Sequence, residues 1–126
     1  MKKINLGQKD IIHFIGIGGI GMSGLAQIMK NMGFKVQGSD RSKNKNTNNC
    51  SKLGIKIFIG HSPSNIKKAT IIVKSSAIKN NNLELKYAKK KNISIFARAE
   101  LLADVVSLKK NIIISFLKKF MHQIKY

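Results

Sequence analysis

The chain has 126 residues and is 43% hydrophobic, enough for one domain with a modest core and too apolar for a disordered class. Its 24 Lys and Arg stand against 5 Asp and Glu, a formal net charge of +19, which invites an acidic partner such as nucleic acid or an anionic membrane surface. The lysines, however, lie in every segment and are mixed with Asn and Ile as A+T-rich codons mix them; with no Trp and no aromatics interleaved among them, no nucleic-acid partner is expected.

Met1–Asp10 carries lysines but no apolar stretch and does not read as a signal peptide. Ile11–Ile17 is a continuous apolar run that predicts a first, buried strand. Glycines follow, and then Met22, Leu25, Met29 and Met32 recur at helical spacing in a helix that Gly33 ends. Lys35–Gly38 predicts a second strand closed by Ser39-Asp40. Arg41–Asn49 is a polar, lysine-rich loop running into a short helix that ends near Leu53-Gly54. Cys50, the single cysteine, excludes an internal disulfide and fits a reducing, cytoplasmic location. Ile55–Ile59 predicts a third strand, punctuated by Gly60-His61-Ser62-Pro63, and Ile71–Val73 a fourth, leading into Ser75-Ser76-Ala77. Leu83–Lys91 predicts a helix, Ile93–Phe96 a fifth strand, Ala99–Ser107 a helix and Asn111–Ser115 a sixth strand. The tail, 116–126, has Phe116, Phe120 and Ile124 four apart, and Leu117 and Met121 likewise, with lysines between: a basic amphipathic helix. No apolar run reaches the ~20 residues of a membrane span. The alternation predicts an α/β fold over residues 1–115, a Rossmann-like parallel sheet with helices on both faces, whose strand order the sequence leaves open.

Gly16-x-Gly18-x-x-Gly21, after a strand and before a helix, matches the dinucleotide-binding fingerprint. Without Cβ atoms, backbone N–H groups can approach a phosphate closely, and the helix adds partial positive charge at its N-terminus. Asp40, ending the second strand, is where an NAD enzyme holds the ribose 2′-hydroxyl, so an NAD(P)-binding Rossmann module is one reading. The doubled Gly18-Gly19, the Gly21-Met22-Ser23-Gly24 that follows and the lack of a catalytic domain behind it turn away from a dehydrogenase. His61, Ser75 and Ser76 follow apolar strands and so fall at carboxyl ends, where open α/β sheets bind ligands. Each has a plainer reading: a solvated loop histidine, capping serines, and for Arg98 and Glu100 the stabilisation of a first helical turn. His13, inside the first strand, reads as a packed residue.

The run His13-Phe14-Ile15-Gly16-Ile17-Gly18-Gly19-Ile20-Gly21-Met22-Ser23-Gly24 closely resembles the opening of the Mur ligases, in particular the UDP-N-acetylmuramate–L-alanine ligases of peptidoglycan synthesis. The resemblance continues through Gly38-Ser39-Asp40, Gly54 to His61, Ser75-Ser76-Ala77-Ile78 and Arg98 to Ala103, in order. It implies a Rossmann-like N-terminal domain that binds UDP-N-acetylmuramate, ahead of a central domain for ATP and Mg²⁺ and a C-terminal domain for L-alanine. In that reaction the muramate carboxylate is activated as an acyl phosphate, and the amine of L-alanine displaces phosphate to form an amide. The resemblance places Gly16, Gly18, Gly19, Ile20, Gly21, Met22 and Ser23 against the diphosphate and Ser39 and Asp40 toward the nucleoside. It has His61 and Ser75-Ser76-Ala77 lining the same cleft, and Arg98 and Glu100 orienting substrate or capping a helix. It assigns this chain no catalytic residue, no metal and no cofactor of its own. In the family the strand resembling Asn111–Ser115 runs into a Gly-x-x-Gly-Lys-Thr P-loop, whereas here Phe116-Leu117-Lys118-Lys119-Phe120 follows and no glycine occurs after Gly60. The expectation is a ligase domain truncated before its ATP loop and unable, alone, to make the amide bond.

Overall fold

The computed structural model describes residues 6–125. Five strands, β1 (Ile11–Ile15), β2 (Lys35–Asp40), β3 (Lys56–Ile59), β4 (Ile71–Lys74) and β5 (Ser94–Ala97), alternate with helices α1 (Ile20–Asn31), α2 (Lys45–Lys52), α3 (Leu83–Lys90) and α4 (Arg98–Lys125), plus a 3₁₀ turn at Pro63–Ile66. All four pairings are parallel and the strand order is β3-β2-β1-β4-β5. This is the Rossmann-like α/β architecture expected, with the first five positions of the 3-2-1-4-5-6 order.

Strand periodicity divides the core between the two faces of the sheet. Ile12 and Phe14 of β1, Ile71 and Val73 of β4 and Phe96 of β5 pack with Met22, Leu25 and Met29 of α1 and with Leu101 and Val105 of α4. The alternate residues Ile15 and Ile72 pack on the opposite face with Ile66, Leu85 and Ala88. His13 shares that second face by register with Gln37 and Ser39, so a polar patch, its histidine fully buried, adjoins this apolar cluster. In register, Ile15 lies opposite Ser39 and Lys74, Asp40 opposite Ile59, and Lys74 opposite Ala97, so all five carboxyl ends reach one edge of the sheet.

The expected sixth strand does not form. Asn111–Ser115 lies inside α4, which runs unbroken from Arg98 to Lys125 and carries the amphipathic tail with it. The physical reason lies in punctuation. The only proline is Pro63 and the last glycine is Gly60, so nothing in this stretch stops a helix once begun. Each added residue then gains a hydrogen bond at little further cost in order. Only the first turns of α4 are packed: Leu101 and Val105 are buried, while Ile112, Ile113, Phe116, Phe120 and Ile124 are exposed. No helix of the described residues is long and apolar enough to cross a membrane.

Candidate functional site

The chain leaves β1 toward α1 on one face and β4 toward α3 on the other. The gap between these two central strands is therefore a topological switch point, where open α/β sheets form a crevice. The turn after β1 and the turn after β4 meet across it. Gly16 has φ of +83°, a conformation that L side chains rarely adopt, and a Cβ there would lie 3.2 Å from Ile78 Cδ1. The Gly16 and Ile17 amides donate to the Ser39 carbonyl at 2.9 and 3.0 Å, and the Gly19 amide closes the turn on the Gly16 carbonyl at 3.1 Å. Ile78 in turn donates to the Ser75 carbonyl at 3.2 Å. Among the described residues neither the Ser75 nor the Ser76 hydroxyl has a hydrogen-bond partner, so they cap nothing; Ser76 and Ala77 are exposed.

Helix α1 begins at this turn without the usual cap. Gly19 is its N-cap, no side chain accepts from its amides, and its first turn holds no acidic residue. The first intrahelical bond is from the Ser23 amide to the Gly19 carbonyl, at 2.9 Å. The amides of Ile20, Gly21 and Met22 thus remain orphaned at a positively polarised helix end. Arg98, from the end of β5, stands against the same spot. A Cβ on Gly21 would lie 3.0 Å from both Cζ and Nη1 of its guanidinium, so a larger residue there would push the arginine from its place. Among the described residues Arg98 has no carboxylate partner. A guanidinium beside a helix N-terminus is electrostatically unfavourable by itself and becomes favourable once an anion lies between them. Glu100 does not join this group: its carboxylate accepts the Ala97 amide at 2.9 Å and so caps α4.

Several expected contacts take a different form. Met22 and Ser23 turn their side chains into the protein, the Ser23 hydroxyl donating to the Ile20 carbonyl at 3.2 Å, so they can offer a ligand only main chain. Ile20 is the opposite, 90% exposed beside the turn. The Asp40 carboxylate accepts the Gly18 amide at 2.7 Å and the Arg41 amide at 2.7 Å. It therefore braces the glycine turn, and the Gly18 N–H is already taken. Asn44 adds a second brace: its side-chain oxygen caps α2 through the Thr47 amide, while its side-chain nitrogen donates to the Gly18 carbonyl at 3.1 Å. The site thus presents the amides of Ile20, Gly21 and Met22, with the turn before them held by Asp40 and Asn44 from behind.

Behind the side of the crevice toward β2 and β3 lies a group that sequence reasoning missed. Glu84, at the start of α3, is completely buried. One carboxylate oxygen accepts from His13 Nε2 at 2.7 Å and from the Ser39 hydroxyl at 2.6 Å; the other accepts from the Ser62 amide at 3.1 Å and Asn65 Nδ2 at 2.8 Å. Gln37 donates to His13 Nδ1 at 2.8 Å and to the Asn65 carbonyl at 2.7 Å, which makes Nε2 the protonated nitrogen of His13. His61 is half-buried and its Nδ1 lies 2.9 Å from the Ser39 hydroxyl. Burial pushes the Glu84 carboxyl up, but the hydrogen bonds from His13, Ser39 and Asn65 outweigh it and hold the pKa at about 2. Ser39 itself is fully buried and so stands behind His61 and not at the surface. The available signal was a histidine inside an apolar strand, which needs a buried partner; one sequence cannot say which of the chain's carboxylates supplies it.

The model of the Mur ligase family, catalytic domain, matches residues 11–110. The UDP-N-acetylmuramate--L-alanine ligase of Pelagibacter ubique (strain HTCC1062) is 61% identical over 113 residues, 90% of this chain and 24% of that protein. The protein of the same name from Rickettsia bellii (strain OSU 85-389) is 53% identical over 106 residues, 84% of this chain and 22% of that protein. In structure, the chain is similar to UDP-N-acetylmuramate-alanine ligase from Thermotoga maritima, with TM-score 0.75 and 35% identity over 79% of this chain and 23% of that one. The chain therefore spans about a quarter of the length of the curated relatives it matches. Because the family match begins with β1 and ends within α4, it takes in the whole sheet and every residue of the site, and the chain belongs to the Mur ligase family.

Proposed function

We propose that this domain binds UDP-N-acetylmuramate, and that it is the nucleotide-sugar-binding part of a ligase that adds L-alanine to that compound in peptidoglycan precursor synthesis. The observation that carries the reading is the Arg98 guanidinium set against the uncapped N-terminus of α1, two positive features converging on one point with no carboxylate between them. A diphosphate supplies the missing anion. Ile20, Gly21 and Met22 would donate main-chain amides to it, with Gly16, Gly18 and Gly19 shaping the turn and Ser23 supporting it from within. The free Ser75 and Ser76 hydroxyls and Ala77 border the same crevice, and His61 lies toward β2 and β3, the side on which Rossmann folds seat a nucleoside. Asp40 already has a role without a ribose, its two oxygens accepting the Gly18 and Arg41 amides at 2.7 Å each and so bracing the glycine turn. The relatives' names point the same way.

ATP, Mg²⁺ and L-alanine belong, by the same resemblance, to other domains of the complete ligase. No step through them is assigned to residues 1–115, nor to the helical tail 116–126, and among the described residues no group of three His, Cys, Asp or Glu could hold a metal. A cytoplasmic location goes with this reading. Calorimetric titration of the purified chain with UDP-N-acetylmuramate and, separately, with NADH tests it. Saturable binding of the UDP-sugar with no heat from NADH is the expected result; the reverse preference would replace this reading with the NAD(P) module.

A further inference from the structure

Glu84, Ser39 and His61 form a chain of hydrogen bonds whose directions are fixed from its buried end. All four acceptor positions used on the Glu84 carboxylate face donors, and one of these is the Ser39 hydroxyl. A hydroxyl has a single proton, and here it points to Glu84. Toward His61 the Ser39 oxygen can therefore only accept, so the proton of that 2.9 Å contact sits on His61 Nδ1. A neutral imidazole with Nδ1 protonated carries a lone pair on Nε2, and among the described residues His61 Nε2 has no partner. Glu84 is completely buried, and its other oxygen lies 3.6 Å from His61 Nδ1, which favours a proton on that same nitrogen.

We propose that Glu84, acting through Ser39, is a positioning residue that fixes the tautomer and orientation of His61. Nε2 is thereby offered to the ligand as a hydrogen-bond acceptor. This rests on the UDP-sugar reading above and adds a selection rule to it. His61 meets a group that donates a hydrogen, a ribose hydroxyl or the uracil imide N–H. A diphosphate oxygen, which can only accept, is refused there and is directed to the amides and Arg98 at the glycine turn. One histidine so placed separates the nucleoside end of the site from its phosphate end.

The test uses the full chain labelled with ¹⁵N, at pH 8, where an ordinary imidazole is neutral. Long-range ¹H–¹⁵N correlation reports the tautomer of each of the three histidines, and a His61→Gln variant identifies the relevant one. The expected result is His61 protonated at Nδ1 without any ligand. In Ser39→Ala, which leaves Glu84 its other three donors, His61 is expected to shift toward the Nε2-protonated form. Nε2 protonation in the unaltered chain, or an unchanged tautomer in Ser39→Ala, overturns the relay. A second arm compares UDP with its 2′,3′-dideoxy and N3-methyl analogues. Loss of one donor is expected to weaken binding roughly tenfold, with the difference abolished in His61→Ala. Equal binding of all three overturns the selection rule. Absence of binding by any of them overturns the UDP-sugar reading and the selection rule together, and the relay is then decided by the tautomer alone.

Discussion

Glu84→Ala is expected to lower the unfolding free energy by about 3–5 kcal/mol, a large fraction of what a domain of this size possesses. The change leaves His13 Nε2, the Ser39 hydroxyl, the Ser62 amide and Asn65 Nδ2 without their shared acceptor, and these groups lie where water is scarce. It also unlinks four elements, because Glu84 stands on α3, His13 and Ser39 on β1 and β2, and Asn65 in the 3₁₀ turn. The acid response is a second expression of the same network. The Glu84 pKa falls from the ordinary 4.5 to about 2 in the folded protein, so the unfolded chain takes up the proton first. The stabilisation is complete above the unfolded pKa and is lost as pH falls through about 4.5 toward 2, with a magnitude of about 3 kcal/mol. Urea unfolding followed at pH 7, 4 and 3 measures both effects. A Glu84→Ala protein as stable as the parent at pH 7, or one with the same loss on acidification, would show that the network contributes nothing net.

The second large effect concerns binding. Arg98→Ala is expected to weaken UDP-N-acetylmuramate binding 10- to 100-fold, the loss of one charge-assisted contact to a phosphate, about 1.4–2.7 kcal/mol. The unliganded protein is expected to change by less than about 1 kcal/mol, in the stabilising direction, because the substitution removes a cation from beside a positive helix end. Opposite signs in the two measurements distinguish a ligand-binding arginine from a structural one. Arg98→Lys is expected to recover only part of the affinity, since an ammonium lacks the planar fork that grips two phosphate oxygens. Thermal unfolding and calorimetry on the same preparations provide both numbers. A destabilised Arg98→Ala protein with undiminished affinity would assign the arginine to packing.

Much of this was legible along the chain. Apolar runs named β1, β3, β4 and β5, most plainly the central β1 and β4, while the polar β2 was read from its place between Gly33 and Ser39-Asp40; the glycine turn announced itself by residues that only a close backbone approach requires. Strand order was not legible, since every crossover here is compatible with more than one neighbour. The failure at Asn111–Ser115 has a specific cause. Three consecutive isoleucines mimic a buried strand, yet with no glycine or proline ahead of them the helix begun at Arg98 simply continues. Within the site, Gly19, Ile20, Gly21, Ser75, Ser76, His61 and Arg98 are brought to one edge of the sheet as their positions at strand ends foretold. Asp40 and Ser39 were recognised as near the site but not as supports, because a side chain's hydrogen-bond partner is set by packing, whereas Glu100 takes the helix-capping role that was one of its two readings. Glu84 escaped notice altogether: it looks like an ordinary first-turn helix carboxylate until α3 is laid over His13.

The central claim is that main-chain amides at the start of α1, together with Arg98, hold the diphosphate of a UDP-sugar. Backbone ¹H–¹⁵N shifts recorded while UDP-N-acetylmuramate is added to the chain test it most directly. The largest movements should fall on Ile20, Gly21 and Met22, with the Arg98 side-chain Nε following the same saturation curve. Shifts confined to α4, or no saturable shift at those three amides, would contradict the account.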